Sequence, residues 1–174
     1  MGTYIRGENL IGILSDTHDN LPLIDEAVIR LNQYGIGIVL HAGDYISPFT
    51  VHHFKPLQAK IIGVYGNNCA ERRLLKELFR DIGADLKGFF AEVSVEGLKI
   101  GLLHGHDEEL LNAIITSCAY DVVVYGHTHQ AKFQRIGRTL VINPGEVCGY
   151  LTGKSTMALL DLKTREVEIM VIRR

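Results

Sequence analysis

Short apolar runs that end abruptly in polar turns recur along this chain, and the first of them, Leu10–Leu14, sets the pattern. An apolar run of this length, bounded by turn residues, is typical of a buried parallel strand. The turn after the run carries Asp16 and His18, two residues apart. Because ligands bind at the carboxyl ends of strands in open α/β sheets, this turn is a candidate binding site. A carboxylate and an imidazole that converge there suit a divalent cation.

Four later predicted strands end in similar turns. The side chains at the five strand ends are, in chain order, Asp16 and His18, then Asp44, then Asn67, then His104 and His106, and finally His127 and His129. Glycine adjoins four of the five turns, where it allows the backbone to turn sharply and to approach a ligand closely. Each side chain alone has an ordinary explanation, such as a helix cap, a left-handed turn residue or a surface histidine. Their recurrence at successive strand ends favours one shared site.

The segments around these turns predict a mixed α/β (α+β) fold in one domain over residues 1–174, because no linker or internal repeat divides the chain. Apolar spacing predicts helices over Leu21–Leu31 and Leu74–Ile82, and a short helix near Phe49–Phe54. A further helix opens at Asp107, and its predicted buried stripe is Leu110, Leu111, Ile114, Ile115 and Cys118. The later predicted strands are Ile38–His41, Lys60–Tyr65, Phe89–Val95, Leu98–Leu103, Asp121–Tyr125, Ala131–Ile136, Thr139–Ile142, Thr156–Leu162 and Glu166–Ile172.

Composition narrows the class of protein. The net charge of −2 gives no general attraction for nucleic acid or a membrane surface. No apolar run approaches the ~20 residues of a spanning helix, and Met1–Asn9 lacks the apolar region of a secretory signal. The cysteines Cys69, Cys118 and Cys148 are too few and too scattered for a disulfide framework or a Cys-x-x-Cys zinc site. We therefore expect a soluble protein of the reducing cytoplasm.

The polar turns, taken together, form an ordered series of motifs: Asp16-x-His18, Gly43-Asp44, Gly66-Asn67, His104-Gly105-His106 and Gly126-His127-x-His129. This series resembles the calcineurin-like metallophosphoesterase superfamily, and more narrowly its small single-domain phosphodiesterases of bacteria and archaea. The segment Ile142–Gly145 is similar to a further element of that subfamily, so the resemblance covers nearly the whole chain. It implies a two-layered β-sandwich flanked by helices, with a small phosphodiester as the substrate.

The resemblance also implies two divalent metal ions bridged by Asp44. Their implied ligands are Asp16, His18, Asp44 and His129 for one ion, and Asp44, Asn67, His104 and His127 for the other. Manganese, nickel, iron, cobalt and zinc all accept oxygen and imidazole ligands, so the identity of the metal stays open. In the implied mechanism, a hydroxide that bridges the ions attacks phosphorus in line with the leaving oxygen. Because Asn67 is neutral, the centre keeps a charge of about +1, which attracts an anionic diester.

Asn67, His104 and His106 are the residues expected to take part in catalysis. In much of the superfamily, the residue after the ligating asparagine is a histidine that protonates the leaving group; this chain has Asn68. An amide cannot act as a general acid, so the proton comes from another group such as His106 or water, and we expect rates to depend steeply on leaving-group pKa. His106 otherwise lines the pocket or packs as a turn histidine. Glu146 stands where relatives often carry serine; if its loop rims the pocket, the added carboxylate would disfavour highly charged phosphates, and its role stays open.

Three other histidines and a cysteine lie near the motifs in sequence. His41 belongs to a predicted strand just before Gly43-Asp44, so we expect it to support a ligand rather than to be one. Cys69 follows the asparagine pair and is expected to be a partly buried cysteine at a helix start, with a reactive thiol as the alternative. His52 and His53 match no motif and are expected at the surface or the rim.

Two other functions stay open. A nuclease is disfavoured by the net charge of −2 and by the lack of a capping domain, so we expect no nucleic-acid partner. A non-catalytic scaffold would resemble the retromer subunit of this fold, which binds proteins and has an incomplete metal set. Every implied ligand position is filled here, which favours an enzyme. Homo-oligomerisation, and the choice among a cyclic nucleotide, another diester and a monoester, stay open.

Overall fold

The structure is a computed structural model that describes residues 9–173. The prediction that Met1–Asn9 is not a secretory signal concerns residues 1–8 and Asn9. Residues 1–8 lie outside the described part of the chain. The helices are α1 (Leu21–Gln33), α2 (Thr50–Phe54), α3 (Arg72–Asp81) and α4 (Glu108–Thr116). The strands of the first half are β1 (Leu10–Leu14), β2 (Ile38–His41), β3 (Lys60–Gly63) and β4 (Asp85–Leu86). The later strands are β5 (Phe90–Val95), β6 (Leu98–Leu103), β7 (Val122–Val124), β8 (Lys132–Ile136), β9 (Thr139–Asn143), β10 (Ser155–Asp161) and β11 (Val167–Arg173).

These strands form two sheets that pack face to face. The larger sheet has the order β11-β10-β1-β2-β3-β4, and the smaller one has the order β5-β6-β7-β9-β8. Strands β1 to β4 are parallel, as are β6, β7 and β9, whereas β5, β8, β10 and β11 join as antiparallel neighbours. Helices α1, α2 and α3 cover the outer face of the larger sheet, and α4 covers that of the smaller one. The predicted two-layered β-sandwich flanked by helices is therefore confirmed.

Strand β1 is apolar throughout because both of its faces are covered. Ile11 and Ile13 lie in the core between the two sheets, while Leu10 and Leu14 lie in the core beneath the helices. Side chains alternate along a strand, so only a strand with both faces buried can carry apolar residues at every position. All five residues of β1 are buried, which confirms the buried parallel strand predicted from the sequence.

The parallel arrangement brings the polar turns to one edge of the sandwich. In the larger sheet, Leu14 at the end of β1 pairs with His41 at the end of β2, and His41 pairs with Gly63 at the end of β3. In the smaller sheet, β6 and β7 run parallel, so their carboxyl ends also lie side by side. This shared edge is where the candidate site forms.

Some local predictions were wrong. Strand β4 was not predicted, because two residues are too short to form a recognisable apolar run. In α4, only Ile115 of the predicted stripe is fully buried, and Leu110 is 47% exposed, because a single helix covers only part of the outer face of the smaller sheet. Asn20 directly precedes α1, and its side chain donates to the carbonyl of Cys148 at 2.8 Å. The predicted start of α4 is confirmed, since Asp107 Oδ1 accepts from Leu110 N at 2.9 Å.

Within the described residues, no helix is long and apolar enough to cross a membrane.

Candidate metal centre

The turns after β1 and β2 hold each other through backbone hydrogen bonds. Asp16 N donates to the carbonyl of Gly43 at 3.0 Å, and His18 N donates to the carbonyl of Asp44 at 3.1 Å. His41 lies beneath these turns, fully buried, and its Nδ1 accepts from Gly43 N at 3.1 Å. Burial lowers the pKa of His41 to about 3, so this ring is neutral at physiological pH. His41 thus supports the turn that carries Asp44.

Five of the predicted site residues adopt backbone conformations that are unusual for residues other than glycine. Their φ angles are +53° at Asp16, +40° at His18, +60° at Asp44, +66° at His127 and +60° at His129. Non-glycine residues in this left-handed region carry strain, and such residues cluster at functional sites. Among the described residues, eleven residues other than glycine have positive φ, and five of these belong to the predicted site.

Two motif glycines let the backbone approach the two carboxylates. A Cβ atom at Gly66 would lie 2.0 Å from Asp44 Oδ1, and one at Gly126 would lie 2.7 Å from Asp16 Oδ2. No side chain fits at either position without a shift of its neighbours. The glycines of Gly66-Asn67 and Gly126-His127 are therefore needed for close packing around the acids.

The side chains of Asp16, Asp44 and His104 converge on one buried point, with their ligand-type atoms within 4.8 Å of one another. His104 Nε2 lies 3.3 Å from Asp44 Oδ2 and 4.0 Å from Asp16 Oδ1. His18 Nε2 approaches the same carboxylates, 3.5 Å from Asp44 Oδ2 and 3.7 Å from Asp16 Oδ1. His129 Nε2 lies 3.4 Å from Asp16 Oδ1. Three histidines therefore surround the two acids, and the cluster brings together five of the seven predicted ligands.

Several of these atoms are buried without a hydrogen-bond partner among the described residues. They include Asp16 Oδ1, His18 Nε2 and His104 Nε2, all of which face the same space. An unsatisfied buried polar atom costs about 1–3 kcal/mol, so such a group calls for a ligand. Carboxylate oxygens and neutral imidazole nitrogens form a donor set that divalent transition metals accept. The residues present therefore fit a metal ion.

The ring nitrogens that face away from the acids are anchored. His104 Nδ1 lies 2.8 Å from the carbonyl oxygen of Ala42, and His129 Nδ1 lies 2.7 Å from Glu146 Oε2. A carbonyl oxygen and a carboxylate can only accept, so Nδ1 donates in both rings, and in the neutral ring the lone pair is therefore on Nε2. Metal-ligating histidines are commonly oriented in this way by a partner on the other nitrogen.

Asp44 is ionised at neutral pH. Burial opposes its ionisation, but contacts with His104 and Asn68 outweigh burial and hold its pKa well below the ordinary value. Asn68 donates twice, from its backbone N to Asp44 Oδ1 at 2.8 Å and from Nδ2 to Asp44 Oδ2 at 2.9 Å. The cluster thus supplies a carboxylate charge between His18 and His104.

The other predicted site residues lie at the margin of this cluster. His127 is half-buried, with its ring centroid 5.2 Å from that of His104 and its backbone N donating to Asp16 Oδ2 at 3.1 Å. His106 is exposed on the open side, 5.7 Å from the His104 ring. Asn67 is also exposed, and in the described part of the chain no hydrogen bond joins it to the acids. The ligand roles of Asn67 and His127 and the catalytic role of His106 stay predictions.

The Glu146 side chain does not lie at the pocket rim, so the condition under which it would disfavour highly charged phosphates is not met. Its side chain is fully buried and lies behind His129 instead of facing the open side.

Two buried cysteines lie against the site. Cys148 was not predicted here, and its Sγ lies within 4.8 Å of ligand-type atoms of His18 and His129. Burial, together with the neighbouring Glu146, raises the pKa of the Cys148 thiol far above its ordinary value. Cys69 is buried as well, and its Sγ accepts from Gly66 N at 3.2 Å. Burial also raises the pKa of Cys69, so the alternative of a reactive thiol is disfavoured.

The sandwich fold and the cluster of acids and histidines at its strand ends together define a metallophosphoesterase-type protein. The sequence profile of the calcineurin-like phosphoesterase superfamily domain matches residues 10–165, and the chain belongs to this family. A phosphodiesterase of Methanocaldococcus jannaschii is 45% identical over 163 residues, which cover 93% of this chain and 98% of that relative. The resemblance inferred from the motifs is thus confirmed.

Solved structures agree with this assignment. The structure of an archaeal phosphodiesterase is 45% identical and superposes with a TM-score of 0.89, covering 93% of this chain and 99% of that one. A Vps29 of Entamoeba histolytica complexed with Zn²⁺ superposes with a TM-score of 0.69 at 21% identity, covering 94% of this chain and 99% of that one. The second likeness concerns the fold alone.

Proposed function

We propose that this chain is a phosphodiesterase that hydrolyses small phosphodiesters with the aid of two divalent metal ions. The observation that carries the proposal is the convergence of Asp16 Oδ1, His18 Nε2 and His104 Nε2, buried and without hydrogen-bond partners, around two carboxylates. The 45% identity to a phosphodiesterase over nearly the full length of both chains supports the same activity.

The proposed ligands divide into two sets that share Asp44. The first set is Asp16, His18, Asp44 and His129, and the second is Asp44, Asn67, His104 and His127. The bridging position of Asp44 is supported by its Oδ2 atom, which lies 3.5 Å from His18 Nε2 and 3.3 Å from His104 Nε2. When bound, the ions would make hydroxide available near neutral pH and offset the charge that develops on the phosphoryl oxygens.

The protein's own groups prepare this chemistry. The two hydrogen bonds from Asn68 hold the Asp44 carboxylate in a set orientation, so Asn68 takes a positioning role in place of an acid. We assign proton delivery to the leaving group to His106, because its exposed imidazole stands on the open side, 5.7 Å from the His104 ring and 6.2 Å from the His127 ring. An imidazole can donate a proton near neutral pH, whereas the Asn68 amide cannot.

A metal-dependence assay tests the proposal. Protein stripped with a chelator should hydrolyse bis-p-nitrophenyl phosphate only after Mn²⁺, Ni²⁺ or another divalent ion is restored, and elemental analysis should find two equivalents bound. Asp44→Asn should lower kcat/KM beyond the ~10–100-fold loss typical of an outer partner of a metal ligand. Asp25→Asn is the matched control, since Asp25 is a half-buried acid that pairs with His53 at 2.8 Å, away from the cluster.

The outcomes separate the remaining alternatives. Two bound ions without hydrolysis of any phosphate ester would favour a scaffold, and preferential cleavage of single-stranded or duplex DNA would favour a nuclease. Activity that survives complete metal removal would refute the proposal. A reducing, cytoplasmic location is part of the proposal as well, and it is supported by the free thiols of Cys69, Cys118 and Cys148.

A further inference from the structure

Glu146 is a fully buried carboxylate surrounded by hydrogen-bond donors. Its Oε2 accepts from His129 Nδ1 at 2.7 Å, from Cys148 Sγ at 2.9 Å and from Tyr150 N at 2.9 Å. Its Oε1 accepts from Leu151 N at 3.0 Å, from Thr152 N at 2.5 Å and from Thr152 Oγ1 at 2.8 Å. Both oxygens are therefore satisfied by donors from one metal-ligand candidate and one turn.

This environment keeps Glu146 ionised. Six donors are directed at its two oxygens, and this arrangement fits the ionised form, which only accepts hydrogen bonds. Hydrogen bonds to an ionised acceptor are stronger than those between neutral groups. The carboxylate is thus a strong and immobile acceptor for the His129 ring.

The His129 ring lies between two acids, with Nδ1 facing Glu146 and Nε2 facing Asp16. The hydrogen bond to Glu146 therefore affects which nitrogen carries the proton. Because Glu146 can only accept, the proton of the neutral ring lies on Nδ1, and the lone pair of Nε2 points toward Asp16 Oδ1, 3.4 Å away. A lone pair aimed at a carboxylate oxygen is unfavourable unless a cation lies between them. Without Glu146, the ring would place its proton on Nε2 and donate it to Asp16.

We propose that Glu146 is a positioning residue of the metal centre, which sets the tautomer and the orientation of His129 so that Nε2 is free to bind a metal ion. The inference rests on the proposed metal centre. A carboxylate behind a ligating histidine fixes the ring and typically contributes about 10–100-fold to metal affinity. Its effect on catalysis passes through His129, since Glu146 itself lies away from the open side.

A purely structural role would make Glu146 only an anchor for the turn at Tyr150–Thr152. Thr152→Val separates the two roles, because it removes the hydroxyl donor to Glu146 Oε1 and leaves the contact with His129 in place. Thr152 is exposed, so this change keeps the core intact.

The first test reads the tautomer of His129 directly in metal-free protein. Long-range proton–nitrogen NMR correlations distinguish Nδ1–H from Nε2–H, and His129→Gln identifies the signals of this ring among the eight histidines. We expect Nδ1–H in the wild-type protein and in Thr152→Val. In Glu146→Gln, where an amide replaces the charged acceptor, we expect the Nε2–H form to become populated. Glu146→Met removes the acceptor and should complete the change; if it does not fold, Glu146→Gln decides.

The second test measures Mn²⁺ binding by calorimetry on the same full-length variants. We expect one of the two dissociation constants, that of the site that contains His129, to rise by about 10–100-fold in Glu146→Gln and both to stay unchanged in Thr152→Val. An unchanged tautomer in a folded Glu146→Gln protein would overturn the inference, and so would wild-type Mn²⁺ affinity in that variant. If the wild-type protein binds no metal, the proposed function fails, whereas the NMR result still decides whether Glu146 sets the His129 tautomer.

Discussion

Replacing Gly66 by alanine tests whether the turn after β3 must pack directly against Asp44. The added Cβ would lie 2.0 Å from Asp44 Oδ1, whereas ordinary contacts begin at 3.4 Å, so the carboxylate must retreat by about 1.4 Å. Rotation of the side chain does not relieve the clash, because the backbone N of Asp44 would also lie 2.7 Å from the new atom. The whole turn that carries the proposed bridging ligand must therefore move.

The expected loss follows from that displacement. A misplacement of ~1 Å at a reacting centre costs about 100-fold in rate, which corresponds to about 2.7 kcal/mol of transition-state stabilisation. Overpacking of this kind also lowers the free energy of unfolding by about 1–3 kcal/mol. We expect kcat/KM for bis-p-nitrophenyl phosphate to fall by at least this factor, together with a smaller decrease in Tm.

Gly37→Ala is the matched control, because no atom lies within 4 Å of a Cβ placed at Gly37. Steady-state kinetics with saturating Mn²⁺ and a thermal melt of each variant provide the comparison. A folded Gly66→Ala protein with wild-type kcat/KM would refute the packing argument. It would show that the turn can yield without moving Asp44.

Three further predictions concern other parts of the site. Chelation should lower Tm, since a ligand at 100 times its Kd stabilises the folded protein by about 2.7 kcal/mol, and a thermal melt that EDTA leaves unchanged would contradict the metal centre. His106→Asn should slow the hydrolysis of diesters with poor leaving groups far more than that of bis-p-nitrophenyl phosphate. An equal loss of kcat/KM across a series of aryl diesters would exclude proton delivery by His106. His41 has a folded-state pKa of about 3 against 6.5 when unfolded, so the unfolded chain binds the extra proton between these values and stability falls as the pH is lowered. Urea titrations at several pH values over this window measure how steeply the free energy of unfolding changes with pH. This slope should be smaller by about 1.4 kcal/mol per pH unit in His41→Gln and unchanged in His52→Gln.

In the turn after β3, the side chain that contacts Asp44 is not the one that the motif indicates. The sequence pairs two asparagines after β3, and the motif points to Asn67, yet Asn68 is the one that hydrogen-bonds to Asp44. A turn directs successive side chains to different sides, and the backbone torsions that decide this depend on packing with the neighbouring turn. Metal affinity and phosphate affinity should be measured in both Asn67→Asp and Asn68→Asp. The comparison would show which of the two amides contributes to metal binding and which to phosphate binding.

Much of the fold and most of the cluster follow from the sequence by itself. Apolar runs that are too long and too uniform for a one-sided strand indicate strands buried on both faces, and β1 satisfies that expectation with all five residues buried. Parallel strands place their carboxyl ends at one edge, so side chains that follow such strands must gather there. For that reason the sequence alone groups Asp16, His18, Asp44, His104 and His129.

Only the tertiary structure decided the features that depend on contacts between distant segments. Glu146 follows a Pro-Gly turn that looks like a surface loop, but it lies buried because six donors from His129 and the loop that follows compensate for its desolvation. Similarly, the exposure of Leu110 on α4 depends on how much of the smaller sheet one helix can cover. Local patterns determine which face of an element is apolar, whereas burial of a charge or exposure of a leucine depends on what the rest of the chain places against it.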